Sequence, residues 1–306
     1  MHAGLVGRML IESLAGIPVT VDLASEYRYA TPVTVGHTLA VPVSQSGETS
    51  DTLQALRLAR KNGLSSLGVI NVVGSAIARE SDAVMYTGAG PEIAVATTKG
   101  YASQVTVLAM LAVKLGYLRG RIGAERASEL CHSLADVLPA NIAEIISRRP
   151  EIAELAKKIY SHDDLFYIGR GPDCAAAPEC SLKLKEISYI KSEAYAAGEL
   201  KHGTISLIEP GTPVFAVATQ PDLFEKTLGN IREVKSRGAY VAALVGEDCE
   251  NAGEFSDVAI KVPSTLPEYM PSLNVVPLQL IAYFTAVERG CDVDKPRNLA
   301  KSVTVE

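Results

Sequence analysis

A chain of 306 residues, 47% apolar and with a net charge of −6, reads as a soluble globular protein with room for two domains of ordinary size, and its acidic balance argues against nucleic-acid binding. Five cysteines, Cys131, Cys174, Cys180, Cys249 and Cys291, are odd in number and lack CxxC spacing, which reads as reduced thiols in a cytoplasmic protein. The five histidines are scattered, so neither a metal nor another cofactor is expected; the first residues carry no export signal, and the apolar stretch 102–118, broken by Ser103, Gln104, Thr106 and Lys114, predicts a buried helix and no membrane span.

The first strong pattern is 39–60, LAVPVSQSGETSDTLQALRLAR. A short apolar run enters a hydroxyl-rich turn that opens directly into a helix. The turn offers Ser44, Gln45, Ser46 and Thr49 as side-chain donors, and the helix adds unpaired N–H groups and the positive end of its dipole, a combination suited to phosphate. A single glycine, Gly47, among hydroxyls, without GxGxxG or Walker-type spacing, fits a sugar phosphate better than a nucleotide. The same residues also fit an ordinary helix capped by Ser46 or Thr49.

Downstream come the strand LGVINVV, the strand SDAVMYT, a turn with Pro91 and Glu92, and the apolar helix. Residues 119–150, rich in Ala, Arg and Glu at helical spacing, predict a helical connection. A second series opens with LFYIGRG at 165–171, a strand entering a glycine turn. In the helix expected over 179–190, Lys183 and Glu186 stand three residues apart on one face. Glu186 is also four residues from Leu182 and from Ile190, a setting that desolvates a carboxylate, raises its pKa and suits it to proton transfer. On an exposed helix the same two residues form a surface pair worth only a few tenths of a kcal/mol.

The loop expected at 191–203, KSEAYAAGELKHG, gathers Glu193, Glu199, Lys201 and His202. Because the unperturbed imidazole pKa lies near physiological pH, His202 is a candidate general acid or base, or equally a solvated bystander. The tail DKPRNLAKSVTVE carries an apolar rhythm of Leu299, Val303 and Val305. Lys301 within it would form a Schiff base if desolvated, and is otherwise a plain solvated cation.

The two series are copies of one another. Gly63 and Gly238, Asp82 and Asp257, and Gln45 and Gln220 are each 175 residues apart, while Pro91 and Glu92 fall one residue off Pro267 and Glu268. Strands alternating with helices at this spacing imply parallel βαβ units, and runs such as PVFAVA and YVAALV lack the polar alternation of half-exposed strands. The expected fold is α/β, two three-layer αβα sandwiches with parallel sheets related by internal duplication, over 1–145 and 146–306. By the same offset the partner of LFYIGRG falls before residue 1, so the first domain is expected to be truncated, short of its first strand and of the loop behind it.

The segments SQSGETSDTL, TKGY, LKLKEISYIKSEAYAAGELKHG, VPLQLIAY and DVDKPRNLAKSVTVE closely resemble the isomerase half of the glutamine:fructose-6-phosphate aminotransferase family, also called glucosamine-6-phosphate synthases. The resemblance covers essentially the whole chain. It implies two flavodoxin-like sugar isomerase (SIS) domains, a homodimer, and fructose 6-phosphate bound with its phosphate on Ser44, Gln45, Ser46 and Thr49. Val95 and Thr97 would line the sugar, Thr97 standing where many relatives have serine. His202 would open the sugar ring, reaching into the neighbouring subunit's site. Lys301 would hold C2 as an imine that ammonia displaces. Glu186 would carry the proton from C1 to C2, with Lys183 assisting at O1, to give glucosamine 6-phosphate. A glutaminase domain is implied for the full-length protein and is absent here. A CGTS-type loop, implied just before the helix near His2, is missing, in line with the gap that the repeat predicts.

Two other readings use the same residues: a stand-alone SIS deglycase or deaminase acting on amino-sugar phosphates, and a sugar-phosphate-binding module without catalysis. The terminal DVDKPRNLAKSVTVE, with Lys301, favours the synthase over the deglycase, and the presence of Glu186, Lys183, His202 and Lys301 together argues against a pure sensor.

Overall fold

The computed structural model describes residues 1–33 and 36–301. They form two compact units: Met1 with Ala3–Ala127 and 298–301, and His2 with Ser128–Arg297.

The first unit opens with α1 (His2–Ala15), which buries Val6, Leu10 and Leu14 at helical spacing and stops at Gly16, left-handed at φ 62°. After the short α2 (Ala24–Tyr27) come β1 (Leu39–Ala40) and β2 (Val43–Ser44). These are two pieces of one strand, since both pair in parallel with β3 (Ser65–Ile70). The break falls at Pro42, which has no N–H to give and only accepts, from Val69 N at 2.9 Å. Helix α3 (Ser50–Lys61) leads to β3, and α4 (Ala76–Glu80) to β4 (Ala83–Tyr86), which pairs with β3 in parallel. Leu56, Ile70, Ile77 and Ala78 make the core beneath α3 and α4. Helix α5 (Lys99–Leu118) lies tight against α1: a Cβ on Gly7 would stand 2.8 Å from Leu108, and one on Gly116 2.6 Å from the Leu14 carbonyl.

The expected helical connection is α6 (Ala124–His132), a π-helical turn at Ser133–Val137, α7 (Leu138–Ser147) and α8 (Arg149–Ile159). The second unit continues with β5 (Asp164–Gly169), α9 (Pro172–Ser188), β6 (Lys191–Ala196), β7 (Pro213–Ala218), α10 (Phe224–Lys235), β8 (Tyr240–Gly246), β9 (Val258–Val262) and α11 (Met270–Glu288). All five strands run parallel in the order β6-β5-β7-β8-β9. Counted within the unit this is 2-1-3-4-5, the flavodoxin-like doubly wound order. Phe166, Val214, Val241, Leu228, Ile231 and Val234 join the sheet to α10, while α9, α11 and α8 pack as a layer of their own. Both α5 and α11 have the length and hydropathy of a membrane span, yet each is packed against helices or strands of its own unit.

The 175-residue repeat is structural: α1 matches α9, the β1–β2 strand β7, α3 α10, β3 β8, β4 β9 and α5 α11. One segment breaks the match. Residues 16–21 correspond to β6 but lie outside any sheet. β6 takes its ladder partner from β5 alone, and the described residues of the first unit hold no counterpart of β5. Without that neighbour an edge segment has nothing to pair with. The consequence shows in burial: β7 is buried along its whole length, whereas Leu39 on the matching strand is 46% exposed.

Two boundaries differ from expectation. The helix over 179–190 starts earlier, at Pro172, where a missing N–H costs nothing, tolerates Pro178 inside, and ends at Ser188 because Tyr189 turns left-handed at φ 63°. The stretch 191–203 is not wholly a loop: its first half is the edge strand β6, on which Glu193 accepts a hydrogen bond from the Tyr195 hydroxyl.

Candidate active site

In the first unit β2 ends at Ser44 and α3 begins at Ser50, so residues 45–49 make the strand-to-helix turn. Buried Ser44 accepts the N–H of Gly47 at 3.0 Å through its Oγ, and Ser46 accepts that of Glu48 at 3.2 Å. Each hydroxyl is thereby oriented by the backbone and keeps its O–H proton to donate. Thr49 is the N-cap of α3 in an extended conformation and makes no side-chain capping bond, so it leaves the first-turn N–H groups untouched. The simple capped-helix alternative therefore lacks its cap. The acidic neighbours are engaged elsewhere: Glu48 accepts the N–H of Ala76 at 2.9 Å, and Asp51 binds Arg28 at 2.7 Å. Donor hydroxyls and the helix dipole set the local field. Gly47 itself is left-handed at φ 68°, and a Cβ there would collide with the Ser75 hydroxyl and stand 2.9 Å from Ile70.

The segment 92–100 closes in on the same turn. A Cβ on Gly100 would collide with the Thr97 hydroxyl and stand 3.3 Å from Gln45 Cγ and 3.5 Å from Glu92 Oε2, so Gln45, Thr97 and Glu92 meet over this glycine. Thr97 donates its hydroxyl proton to Glu92 at 2.8 Å, and Gly100 N donates to the same oxygen at 3.1 Å. The Thr97 oxygen is left as an acceptor for a hydroxyl of a bound molecule. Half-buried Val95 lies between Thr97 and Ala94, and the Ala94 carbonyl accepts from Lys301 Nζ at 2.5 Å, a contact spanning 207 residues of sequence. The terminal lysine thus lies on the segment that carries Val95 and Thr97.

In the second unit Lys183 and Glu186 form the expected pair, with Nζ 2.6 Å from Oε2. The pair is not a surface one, because the Lys183 side chain is 4% exposed. A second carboxylate, Glu179, stands 3.5 Å away on the other side of the ammonium. Glu179, Lys183 and Glu186 occupy one face of α9 at spacings of four and three. His202 ends a 3-10 turn, Leu200–His202, ahead of Gly203 at φ 146°, and is exposed. Among the described residues no hydrogen bond joins its side chain to the Lys183–Glu186 pair.

The tail that leads to Lys301 is pinned first by Asp292, which accepts the N–H groups of Asp294 and Lys295 at 3.0 and 2.9 Å. Arg297 then gives its N–H to the Tyr189 hydroxyl at 2.9 Å and lays its guanidinium over the ring, 4.1 Å from the centroid. Val303 and Val305 lie outside the described residues.

Sequence reasoning passed over Glu92 and Glu179. Glu179 carried a usable signal, its spacing from Lys183 and Glu186; Glu92 carried none beyond its place in the repeated turn.

The SIS domain family matches residues 1–114 and 158–289. The C-terminal domain of glucosamine-fructose-6-phosphate aminotransferase from Francisella tularensis superposes with a TM-score of 0.93 at 34% identity, over 96% of this chain and 84% of that one. This chain belongs to the SIS domain family, in the isomerase half of the glutamine–fructose-6-phosphate aminotransferases. An isomerizing glutamine–fructose-6-phosphate aminotransferase of Symbiobacterium thermophilum is 57% identical over 305 residues, which are 100% of this chain and 50% of the relative. The chain thus spans about half the length of such curated relatives. Glucosamine-6-phosphate deaminase of Thermotoga maritima is also similar, at 25% identity and a TM-score of 0.79 over 99% of this chain and 86% of that one. The isomerase half therefore shares its two-unit α/β architecture with an enzyme of different name.

Proposed function

We propose that the chain binds fructose 6-phosphate and converts it to glucosamine 6-phosphate by amination at C2 and ketose-to-aldose isomerisation. The observation that carries this reading is the contact of Lys301 Nζ with the Ala94 carbonyl, which sets an amine on the segment of Val95 and Thr97, itself gathered with Gln45 around Gly100. Ser44, Gln45, Ser46 and Thr49 hold the phosphate, with hydroxyl protons and α3 N–H groups as donors. Val95 and Thr97 face the sugar, Thr97 accepting a hydroxyl proton. His202 opens the ring, and its exposure suits a role in the site of a second copy of the chain in a homodimer.

Lys301 adds to the C2 carbonyl and loses water to give an imine, and ammonia displaces the lysine. Glu186 takes the proton from C1 and returns one to C2, while Lys183, fixed between Glu179 and Glu186, handles the proton on O1. In the longer protein a glutaminase domain supplies the ammonia; this reading is supported by relatives twice the length of the chain. The five free thiols support a reducing, cytoplasmic setting.

The test is incubation with fructose 6-phosphate and ammonium, with glucosamine 6-phosphate and glucose 6-phosphate followed as products. Borohydride should trap the sugar on Lys301, and Lys301→Ala should abolish the adduct. If neither product forms while sugar phosphate still binds, the binding-module reading replaces this one. The likeness to a glucosamine-6-phosphate deaminase supports a second reading, deamination of the amino sugar. It requires ammonia release from glucosamine 6-phosphate to outpace synthesis, and that release to survive Lys301→Ala.

A further inference from the structure

The second unit has its own switch point, where β5 and β7 lie side by side and their connections leave in opposite directions. In doubly wound sheets this crevice is where ligands bind. The phosphate turn of the first unit maps onto it by the 175-residue offset: Ser44 onto Thr219, Gln45 onto Gln220, Ser46 onto Pro221 and Thr49 onto Phe224. Two of the three hydroxyls are gone. The remaining donors face an occupant that belongs to the chain. Asp173, in the first turn of α9, is 1% exposed and accepts from Thr219 N at 2.8 Å, Thr219 Oγ1 at 2.7 Å, Asn274 Nδ2 at 3.0 Å and Gln220 Nε2 at 3.5 Å.

None of these partners carries a charge, and Arg170, three residues away, turns its guanidinium to Asn230 instead. A buried carboxylate tied only to neutral dipoles is the arrangement of a bound anion and not of an ion pair. Asn274 adds an independent sign. Its amide nitrogen serves both Asp173 and Thr219 Oγ1, the latter at 2.7 Å, while its Oδ1 is buried without a partner among the described residues. The amide is oriented to feed the anion at the cost of its own carbonyl oxygen.

We infer that the second unit holds an anion seat filled from within: the Asp173 carboxylate takes the donors of Thr219, Gln220 and Asn274 that a phosphate would otherwise engage, so this unit binds no sugar phosphate. The inference stands on the second unit alone, and counting sites against the first unit uses the phosphate reading given above.

Equilibrium dialysis of the whole chain with inorganic phosphate, in wild type, Ser46→Ala/Thr49→Ala and that double variant carrying Asp173→Ala, tests it. Wild type should bind one phosphate per chain, the double variant none, and the triple variant one again. A folded triple variant without phosphate, or a phosphate on the second unit of the wild type, overturns the inference. Should wild type bind none while Asp173→Ala alone binds one, the reading of the first unit fails and this one holds. Should Asp173→Ala fold incompletely, refolding in formate against chloride gives the same answer. A rise of folded yield in formate supports the filled seat, and equal yields overturn it.

Discussion

Asp82 and Asp257, 175 residues apart, perform the same task in their two units. Asp82 accepts the N–H of Ser66 at the start of β3, at 2.8 Å, and Asp257 accepts that of Val241 in β8, also at 2.8 Å. Each is joined by a cation from the preceding helix, Arg60 at 3.4 Å and Lys235 at 2.7 Å. Residues 60, 66 and 82 recur as 235, 241 and 257, so the tie between helix end, strand start and carboxylate was duplicated as a piece.

Acid sensitivity follows from these ties. The Ser66 hydroxyl and N–H, then Arg60, hold Asp82 below the usual aspartate range. Burial pushes Asp257 up, but its bonds to Lys235 and Val241 outweigh this and leave it low as well. A folded pKa below the unfolded value of about 3.9 means that the unfolded chain binds more protons there. Both ties therefore stabilise the fold above that pH and lose their effect as pH falls through the folded values. Urea midpoints measured between about pH 2 and pH 6 should drop at the acid end, and Asp82→Asn with Asp257→Asn should flatten that limb.

Replacing Lys183 by methionine should be far more damaging than replacing Glu186 by glutamine. The first leaves Glu179 and Glu186 buried or half-buried with no ammonium between them, at about 3–5 kcal/mol. The second keeps a hydrogen-bonding partner for Lys183 and should leave the melting temperature nearly unchanged, while isomerisation falls by about 10²–10⁴. Equal losses of stability in the two variants would assign the pair a purely structural role.

Gly47→Ala should abolish sugar-phosphate binding and cost stability, because it combines left-handed backbone strain of about 1–2 kcal/mol with a collision at Ser75. Gly63 is the control: it is left-handed at φ 80°, and among the described residues no atom lies within 4 Å of its missing Cβ. Gly63→Ala should show the strain alone and bind normally. Adding Ser75→Ala to Gly47→Ala should recover part of the stability; full recovery of the melting temperature would mean that the strain is negligible.

The Tyr189–Arg297 contact should govern how well Lys301 is presented. Arg297→Ala removes a cation–π interaction of about 0.5–1 kcal/mol and leaves the fold of α9 intact. Borohydride trapping on Lys301 should fall, with the global unfolding midpoint unchanged. A trapping yield equal to that of wild type would show the clasp to be incidental.

Most of the architecture was readable in the sequence, because two copies of one pattern report on each other: the apolar runs, the Gly63–Gly238 caps and the Asp82–Asp257 pair fix strands and helices at a common offset. What escaped has local causes. The split of the 39–44 strand hangs on the single missing N–H of Pro42. The early start of α9 hides behind two prolines, Pro172 and Pro178, that usually argue against a helix interior. The strand at 191–196 looked like a loop because its charged residues sit on a sheet edge, where only β5 pairs with it. At the site, Ser44, Ser46 and Lys183 stood out by residue type and spacing. Glu92 could not, since its partners Thr97 and Gly100 gather only through a turn whose path is a tertiary matter.

The hydroxyl turn that opens α3 contains no lysine or arginine between Val43 and Thr52. A receptor of dipoles and protons alone releases few counterions when its guest arrives, so its grip should be nearly indifferent to ionic strength. It should also loosen in mildly acidic buffer, once the phosphate dianion takes up a proton near about pH 6 and becomes a monoanion, and hold a singly charged sulfate ester correspondingly less well.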